Sequence, residues 1–489
     1  MALASEPGTL DMQLTTGVNE SIPARHVFEG LFAFDESYVP MPQLISGWER
    51  SEDGKVATFH LRKGVLFHNG QEMTAADVVA SLQRWGEYGL TAKALWNLVT
   101  ELEVVDDYTV RMVLSEPFGP VGFYLANIYG GPRIYPAEIA QAAGNQPIAP
   151  DDYIGTGPYR FVEWKTGDYI LLERFDDYVG RTEEPNGFAG KRTAYFDRLQ
   201  FFMVPEDNAR LVGIQAGTYD YVVNIPNDLL VNVEGDPNIT PIIVDNPPIY
   251  PIALVNNKQG ITTNAALKEA MLVALDMESI MLAGYGDPKF WQLNGSYFAP
   301  GIRWHVPGAG EGKYNRADPA AARQLAAAAG YAGEPIRIIV ASDMTSQYNQ
   351  ALVVMDQLVK AGFNVSLQVY DKATFFARRN DRDNPEWELA FSFYSTAPDP
   401  SMVLMLSPTY AGWWDTPEIQ QLRVDLNRAT EFEERYAIWE DIMELWYEQI
   451  PALKFGDAFQ LHLKRADIMG YGTDFEDMVS PYFWNSWRQ

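Results

Sequence analysis

Two of the chain's five histidines, His60 and His68, stand eight positions apart in "FHLRKGVLFHNGQEMTAADVVASLQRW" (59–85). Imidazoles act as general bases and metal ligands. A zinc or nickel site, however, needs a third and usually a fourth ligand, and none lies near them in the sequence. Both are read as structural. Adjacent carboxylates such as Asp106-Asp107 and Asp176-Asp177 would suit acid–base work, but 65 acidic residues produce such neighbours by chance. The run Gly155-Thr156-Gly157-Pro158 leads into a strand pattern, where a phosphate cradle needs a helix. "GFAGKRT" (187–193) lacks the glycine spacing of a P-loop. No G-x-S-x-G elbow, H-E-x-x-H helix or dinucleotide fingerprint occurs. With no cysteine there is no thiolate nucleophile, zinc-thiolate site or disulfide. The chain is read as a non-enzyme without a cofactor; nickel and haem lack a His or Cys cluster to hold them. A hydrolase working through two distant carboxylates is the rival reading.

The elements around these residues explain them better. Phe59 to Lys63 alternates as a strand ending at Gly64, Val65-Leu66-Phe67 continues it, and Asn69-Gly70 predicts a tight turn. Thr74 and Asp77 form a capping box, and Val78, Leu82 and Trp85 follow on one helical face. Residues 151–178 predict a β-hairpin that opens at Gly155-Thr156-Gly157-Pro158 and turns at Lys165-Thr166-Gly167-Asp168. From about Tyr250 the pattern becomes a strand in "PIYPIALVNN" and one amphipathic helix in "NAALKEAMLVALDMESIM". A helix capped by Asp318-Pro319 and ended by Gly330 comes next. The strand "EPIRIIVAS", the helix "YNQALVVMDQLVKAGF" and the strand "NVSLQVY" complete an α/β lobe with a largely parallel or mixed sheet. Thr430 and Glu433 predict a capping box for a helix that buries Trp439, Met443, Trp446 and Ile450. "GRTEEPNGFAGKRT" (180–193) reads as loop.

Length and charge bound the rest. A chain of 489 residues predicts about three domains. Its 47% hydrophobic and 13% aromatic content is that of a globular protein. A net charge of −28 argues against nucleic acid and anionic membrane as partners. No stretch is long and apolar enough to span a bilayer. The opening "MALASEPGTLDMQLTTG" has neither a basic n-region nor an apolar h-region, so an exported form is expected to have lost its signal.

In order, "EPGTLDMQLTTGVNESIPARHVFEGLFAFD", "HLRKGVLFHNGQEMTAADVVASLQRW", "IGTGPYRFVEW", "NAALKEAMLVALDMESI", "YNRADPAAARQLAAAAGY" and "PDPSMVL" resemble the extracellular solute-binding proteins of family 5. This is the dipeptide, oligopeptide and nickel-binding class that serves ABC importers, and the resemblance covers nearly the whole chain. It implies an α/β, two-lobed periplasmic binding protein fold, type II of the large peptide-binding class, with an extra inserted domain. Lobe one would be residues 1–30, 155–252 and 463–489; the extra domain 31–154; lobe two 253–462. The chain would cross a hinge near Ile252–Val255 and near Leu461–Leu463. It implies Venus-flytrap closure on a solute held between the lobes, with ABC permease subunits as membrane partner, no nucleic acid, a monomer, and a periplasmic location with a lipid anchor as the alternative.

The same resemblance implies site residues. Peptide binders of the family hold the peptide ammonium on an Asp four residues before a Pro that matches Pro400; that position here is Thr396. A neutral hydroxyl cannot supply the charge-assisted bond, which raises oligosaccharides, opine-like conjugates and aromatic compounds as alternative ligands. Asp399 is the remaining acid that could replace the missing anchor. Thr16, Gly17 and Asn19 in the opening loop, and Phe393 and Tyr394 beside Thr396, are the other implied contacts. Arg378 and Arg379 match the zone that can hold a carboxylate. Trp291 and Trp413, with Trp304 and Trp414, are candidates to stack on a ring or cation. A sensor or chaperone partner on the same fold is the third class considered.

Overall fold

The computed structural model describes residues 1–395, 397–470 and 481–489. They form two compact units, Met1–Val244 with Leu461–Gln489, and Asp245–Gln460.

Beside the two-stranded pairs Phe32–Phe34/Pro40–Pro42 and Ile468–Met469/Trp487–Arg488, the first unit is built on two larger sheets. In one, the hairpin Tyr159–Lys165/Tyr169–Arg174 pairs antiparallel with Arg198–Met203. The short strand Ala2–Leu3 lies parallel to Arg198–Met203 and to Tyr221–Ile225. Tyr221–Ile225 in turn pairs antiparallel with the Leu461–Lys464 stretch. The hairpin turns as predicted, with Lys165 opposite Tyr169 and Gly167 at φ 74°. The other sheet has four antiparallel strands in the order Ile45–Arg50, Val56–Leu61, Thr109–Leu114, Val99–Asp106. Phe59 and Leu61 are buried on it, and helix Ala75–Tyr88 buries Val78, Leu82 and Trp85. Its capping box is formed: the Thr74 amide donates to Asp77 Oδ2 at 2.8 Å.

The strand does not continue through Val65-Leu66-Phe67. Gly64 at φ 73° turns the chain, and the segment keeps a single bridge, Leu66 to Glu72, across the Asn69-Gly70 turn. What this small loop does is hold the Gly155-Thr156-Gly157 run. The His68 amide donates to Gly155 O (2.9 Å), the Gly155 amide donates to His68 Nδ1 (3.2 Å), and His68 Nε2–H donates to Gly157 O (2.9 Å). That pattern requires a neutral ring, and burial lowers the His68 pKa from 6.5 to about 4. The glycines are needed for contact with the end of helix Val18–Val27: a Cβ on Gly155 would lie 2.0 Å from Val27 O, and one on Gly157 2.3 Å from His26 O. Gly157→Ala is therefore expected to destabilise the first unit by about 1–3 kcal/mol, or more if the helix end cannot yield. Urea titration against the parent measures it.

Buried polar groups join the segments of this unit. Arg84 Nη2 donates to Asp11 Oδ2 at 2.6 Å, with both side chains almost wholly buried, and Tyr135 Oη–H and the Ile148 amide also donate to Asp11. Glu29 accepts from Gln43 Nε2 (2.7 Å), Thr156 Oγ1 (3.0 Å), Tyr178 Oη (3.1 Å) and Arg192 Nη1 (3.0 Å). One carboxylate thus fixes the opening helix to the glycine run and to the 180–193 loop. His26, fully buried, donates from Nδ1 to Ile22 O (2.8 Å) and accepts at Nε2 from the Phe483 amide (2.9 Å). Burial lowers its pKa to about 3.

The second unit is a mixed sheet. Ile336–Ala341 lies parallel to both Val365–Tyr370 and Leu389–Tyr394, and Leu389–Tyr394 is antiparallel to the Tyr250–Val255 stretch of strand Ile239–Val255. Helix Thr345–Lys360 makes the first parallel crossover, as expected for a βαβ unit. Asp318 caps helix Pro319–Ala328 through the Ala321 amide at 2.8 Å.

Two predictions fail here. "NAALKEAMLVALDMESIM" is two helices, Ala265–Ala274 and Met277–Tyr285, because Asp276 stops the first and caps the second through the Ser279 amide. Gln357 Oε1 also accepts from the Asp276 amide at 2.9 Å, fixing the break. Thr430 and Glu433 form no capping box: Glu431 is the N-cap of helix Phe432–Gln449, so Thr430 sits one position too early and bonds Glu431 instead. The helix does bury Trp439, Met443, Trp446 and Ile450.

Candidate functional site

Parallel strands place their carboxyl ends along one edge, and in open α/β sheets the chemistry of recognition collects there. Leu389–Tyr394 shows why in miniature. Leu389, Ala390, Phe391 and Ser392 are buried, whereas the next side chain, Phe393, is 43% exposed. An apolar ring left open at a strand end has area to offer a partner.

Tyr394 follows. Its hydroxyl accepts from Tyr410 Oη at 3.0 Å, and burial, then the neighbouring Tyr410, raises its pKa well above that of a free phenol. Arg379, near the end of helix Lys372–Asn380, reaches Ser392 Oγ at 3.5 Å and lays its guanidinium 4.7 Å from the Phe376 ring centre and 5.6 Å from that of Tyr410. Tyr250 pairs with Tyr394 across the sheet and meets the Tyr297 ring at 5.2 Å. The sheet end therefore sets Arg379 among phenol hydroxyls and apolar rings, with Lys454, paired to Asp457, 4.9 Å from the Tyr250 ring centre. Such a surface offers neutral hydrogen bonds, ring stacking and a guanidinium for a carboxylate. Tyr297 and Tyr410 were missed from the sequence, since nothing in "GSYFAP" or "SPTYAGWW" marks them.

The structure brings Tyr394 and Arg379 together around Tyr410, places Phe393 on the opposite face of the strand from Ser392 and Tyr394, and scatters the rest. Thr396 lies outside the described residues. Asp399 is fully buried, and both its oxygens accept from Arg435, at 2.6 and 2.7 Å, while it caps the Ser401 amide at 2.9 Å. A carboxylate so occupied organises the Pro398–Pro400 turn. Arg378 pairs with Glu386 at 3.3 Å and sits over the Tyr370 ring. Trp413, 4% exposed, packs on Trp387 just before Leu389, at the opposite end of that strand from Tyr394. Trp291 is also buried and gives its indole N–H to Gly286 O at 2.9 Å. Trp304 and Trp414 are core residues.

In the first unit, Thr16 is exposed, and Gly17 is the N-cap of helix Val18–Val27. A Cβ on Gly17 would fall 1.9 Å from Glu20 Oε2, the end of a flexible side chain that can move aside. Asn19 donates to Ser5 Oγ at 2.5 Å. Among the described residues, no group of three or more His, Cys, Asp or Glu side chains is placed to hold a metal ion.

Comparison with known proteins places this geometry. The profile of the bacterial extracellular solute-binding proteins, family 5 (middle region), matches residues 39–413. A probable peptide ABC transporter periplasmic-binding protein of Sinorhizobium fredii is 29% identical over 463 residues, covering 90% of this chain and 85% of that one. The oligopeptide-binding protein AppA of Bacillus subtilis is 28% identical over 433 residues, covering 80% and 73%. The crystal structure of the ABC transporter substrate-binding protein CtaP of Listeria monocytogenes superposes with a TM-score of 0.84 at 21% identity, covering 98% of each chain. A profile match over most of the length decides the assignment: the chain belongs to the bacterial extracellular solute-binding proteins, family 5.

Proposed function

We propose that this protein is the substrate-binding component of an ABC importer, taking up a peptide or another small organic solute outside the cytoplasm and delivering it to a membrane permease. The observation that carries the reading is the family match over residues 39–413. The relatives from Sinorhizobium fredii and Bacillus subtilis, named for peptide and oligopeptide uptake, support the ligand class. The protein works as a monomer and performs no reaction on its cargo. Residues 31–154 act as a domain inserted in the first lobe. In the periplasm it is free, or held by a lipid anchor.

The candidate solute contacts are Phe393, Tyr394, Thr396 and Arg379 on the second unit, and Thr16, Gly17 and Asn19 at the start of helix Val18–Val27 on the first. Asp399, Trp413, Trp291 and Arg378 support the fold. Phe393→Ala is expected to weaken solute binding by about 1–3 kcal/mol, roughly 5- to 150-fold, because an open aromatic at an interface carries more than its share of the energy. Its exposure predicts an unchanged urea midpoint. Calorimetric titration beside urea titration separates the two effects.

The reading is tested by a thermal-shift panel of free peptides, N-acetylated peptides, oligosaccharides, opines and aromatic acids. A ligand at about 100 times its dissociation constant adds roughly 2.7 kcal/mol, enough to move the midpoint visibly. Stabilisation by peptides supports peptide uptake, and a preference for free over acetylated amines requires an acidic anchor elsewhere in the site. Stabilisation by sugars, opines or aromatic acids alone replaces the peptide with that class.

A further inference from the structure

Burying a guanidinium costs several kcal/mol unless a carboxylate or other anion compensates it. In the first unit a small cavity, about 30 Å³, is lined by Arg133, Arg192, Arg25, Glu29, Trp484 and Phe188 among others. Arg133 is 5% exposed, and among the described residues its guanidinium donates to main-chain carbonyls, Pro132 O at 3.2 Å and Ile128 O at 3.3 Å. Burial, with Arg25 and Arg192 close by, lowers its pKa to about 10. Arg192 is 7% exposed and does have a carboxylate, Glu29, at 3.0 Å. That carboxylate, however, also serves Gln43, Thr156 and Tyr178, and Arg192 Nε is buried with no hydrogen-bond acceptor among the described residues. Arg25 has interactions of its own, with Ser21 O and over the Phe188 ring.

From the side-chain cluster of Arg133, Arg192 and Glu29 around this cavity, we propose a binding site for one small monovalent anion, chloride or a free carboxylate such as acetate, in the first unit. The cavity exceeds the volume of one water-sized sphere, which is room for a single chloride ion, whereas acetate enters by one carboxylate oxygen. An anion there accepts from Arg192 Nε and supplies the charge that Arg133 lacks. Water would satisfy the hydrogen bonds and leave the charge uncompensated. Gly30 keeps the space open: a Cβ at this position would stand 3.4 Å from Arg133 Nη1. The site is independent of the transported solute and stands on a chain whose net charge is −28, where a general attraction for anions is absent.

The test starts from protein exchanged into sodium gluconate. Replacing gluconate with chloride, bromide or acetate at constant ionic strength is expected to raise the unfolding midpoint saturably, and Arg133→Gln to abolish the shift. Chloride alone or acetate alone giving the shift tells which source of the charge is used. Crystals of the unaltered protein grown in bromide are expected to show an anomalous peak within hydrogen-bond distance of Arg192 Nε, which decides the matter even if Arg133→Gln does not fold. A midpoint indifferent to the anion, a shift that persists in Arg133→Gln, or an empty cavity in the bromide crystals overturns the proposal.

Discussion

Asp399→Ala is expected to destabilise the second unit by about 3–5 kcal/mol, since it leaves the Arg435 guanidinium buried without its carboxylate. Both side chains are at most 3% exposed and meet through two bonds of 2.6 and 2.7 Å. Loss of the cap on the Ser401 amide adds roughly 1 kcal/mol. Replacing both partners by apolar residues of similar size, Asp399→Leu with Arg435→Met, is expected to restore most of the loss, because the pair's own desolvation disappears with it. Urea titration of the three proteins gives the stability, and calorimetry with a stabilising solute gives the affinity. A large stability loss with unchanged affinity in the folded fraction makes Asp399 a scaffold residue. The reverse result makes it the ammonium anchor that the sequence left open.

Acid is expected to weaken the first unit well above the carboxylate range. His26 and His68 have pKa values lowered to about 3 and about 4, in each case chiefly by burial. In the unfolded chain both titrate near 6.5. Between these values the unfolded state binds more protons than the native one, so stability is fully present above pH 6.5 and falls as the pH drops through that value. At about 1.4 kcal/mol per unit, each imidazole costs roughly 2 kcal/mol between pH 6.5 and 5, and the pair roughly 4. His68→Gln, which keeps a donor and an acceptor without a titrating ring, is expected to remove about half of the slope. Urea titrations at pH 7 and pH 5 measure it; equal stability at the two would mean that the imidazoles are charged in the native protein.

The fold was legible wherever a local pattern decides local structure. The capping box at Thr74, the Lys165–Asp168 hairpin turn, and the Asp318-Pro319 helix start each depend on residues within four positions of one another. What failed depended on partners far away in sequence. The break at Asp276 is fixed by Gln357, 81 positions on, and the strand expected at Val65–Phe67 gives way to bonds between His68 and the Gly155–Gly157 run. The candidate site divides the same way. Phe393 and Tyr394 follow from a motif and a strand, whereas Tyr297 and Tyr410 join them only through tertiary packing. Trp413 and Trp291 are candidates by ring type and loop position, and neither property reports burial.

His26 accepting from the Phe483 amide has a consequence for how the chain matures. The first unit's sheet needs Leu461 and Leu463 beside Tyr221–Ile225, and its core needs Phe483 beside His26, Phe201 and Tyr221. Residues 1–244 cannot complete that core until a further 200 residues and more have followed them, and closing so long a loop is slow. Residues 245–460, being continuous, carry no such delay. For a chain that threads through a membrane before it folds, such a delay would keep the leading half threadable until the closing segments have followed.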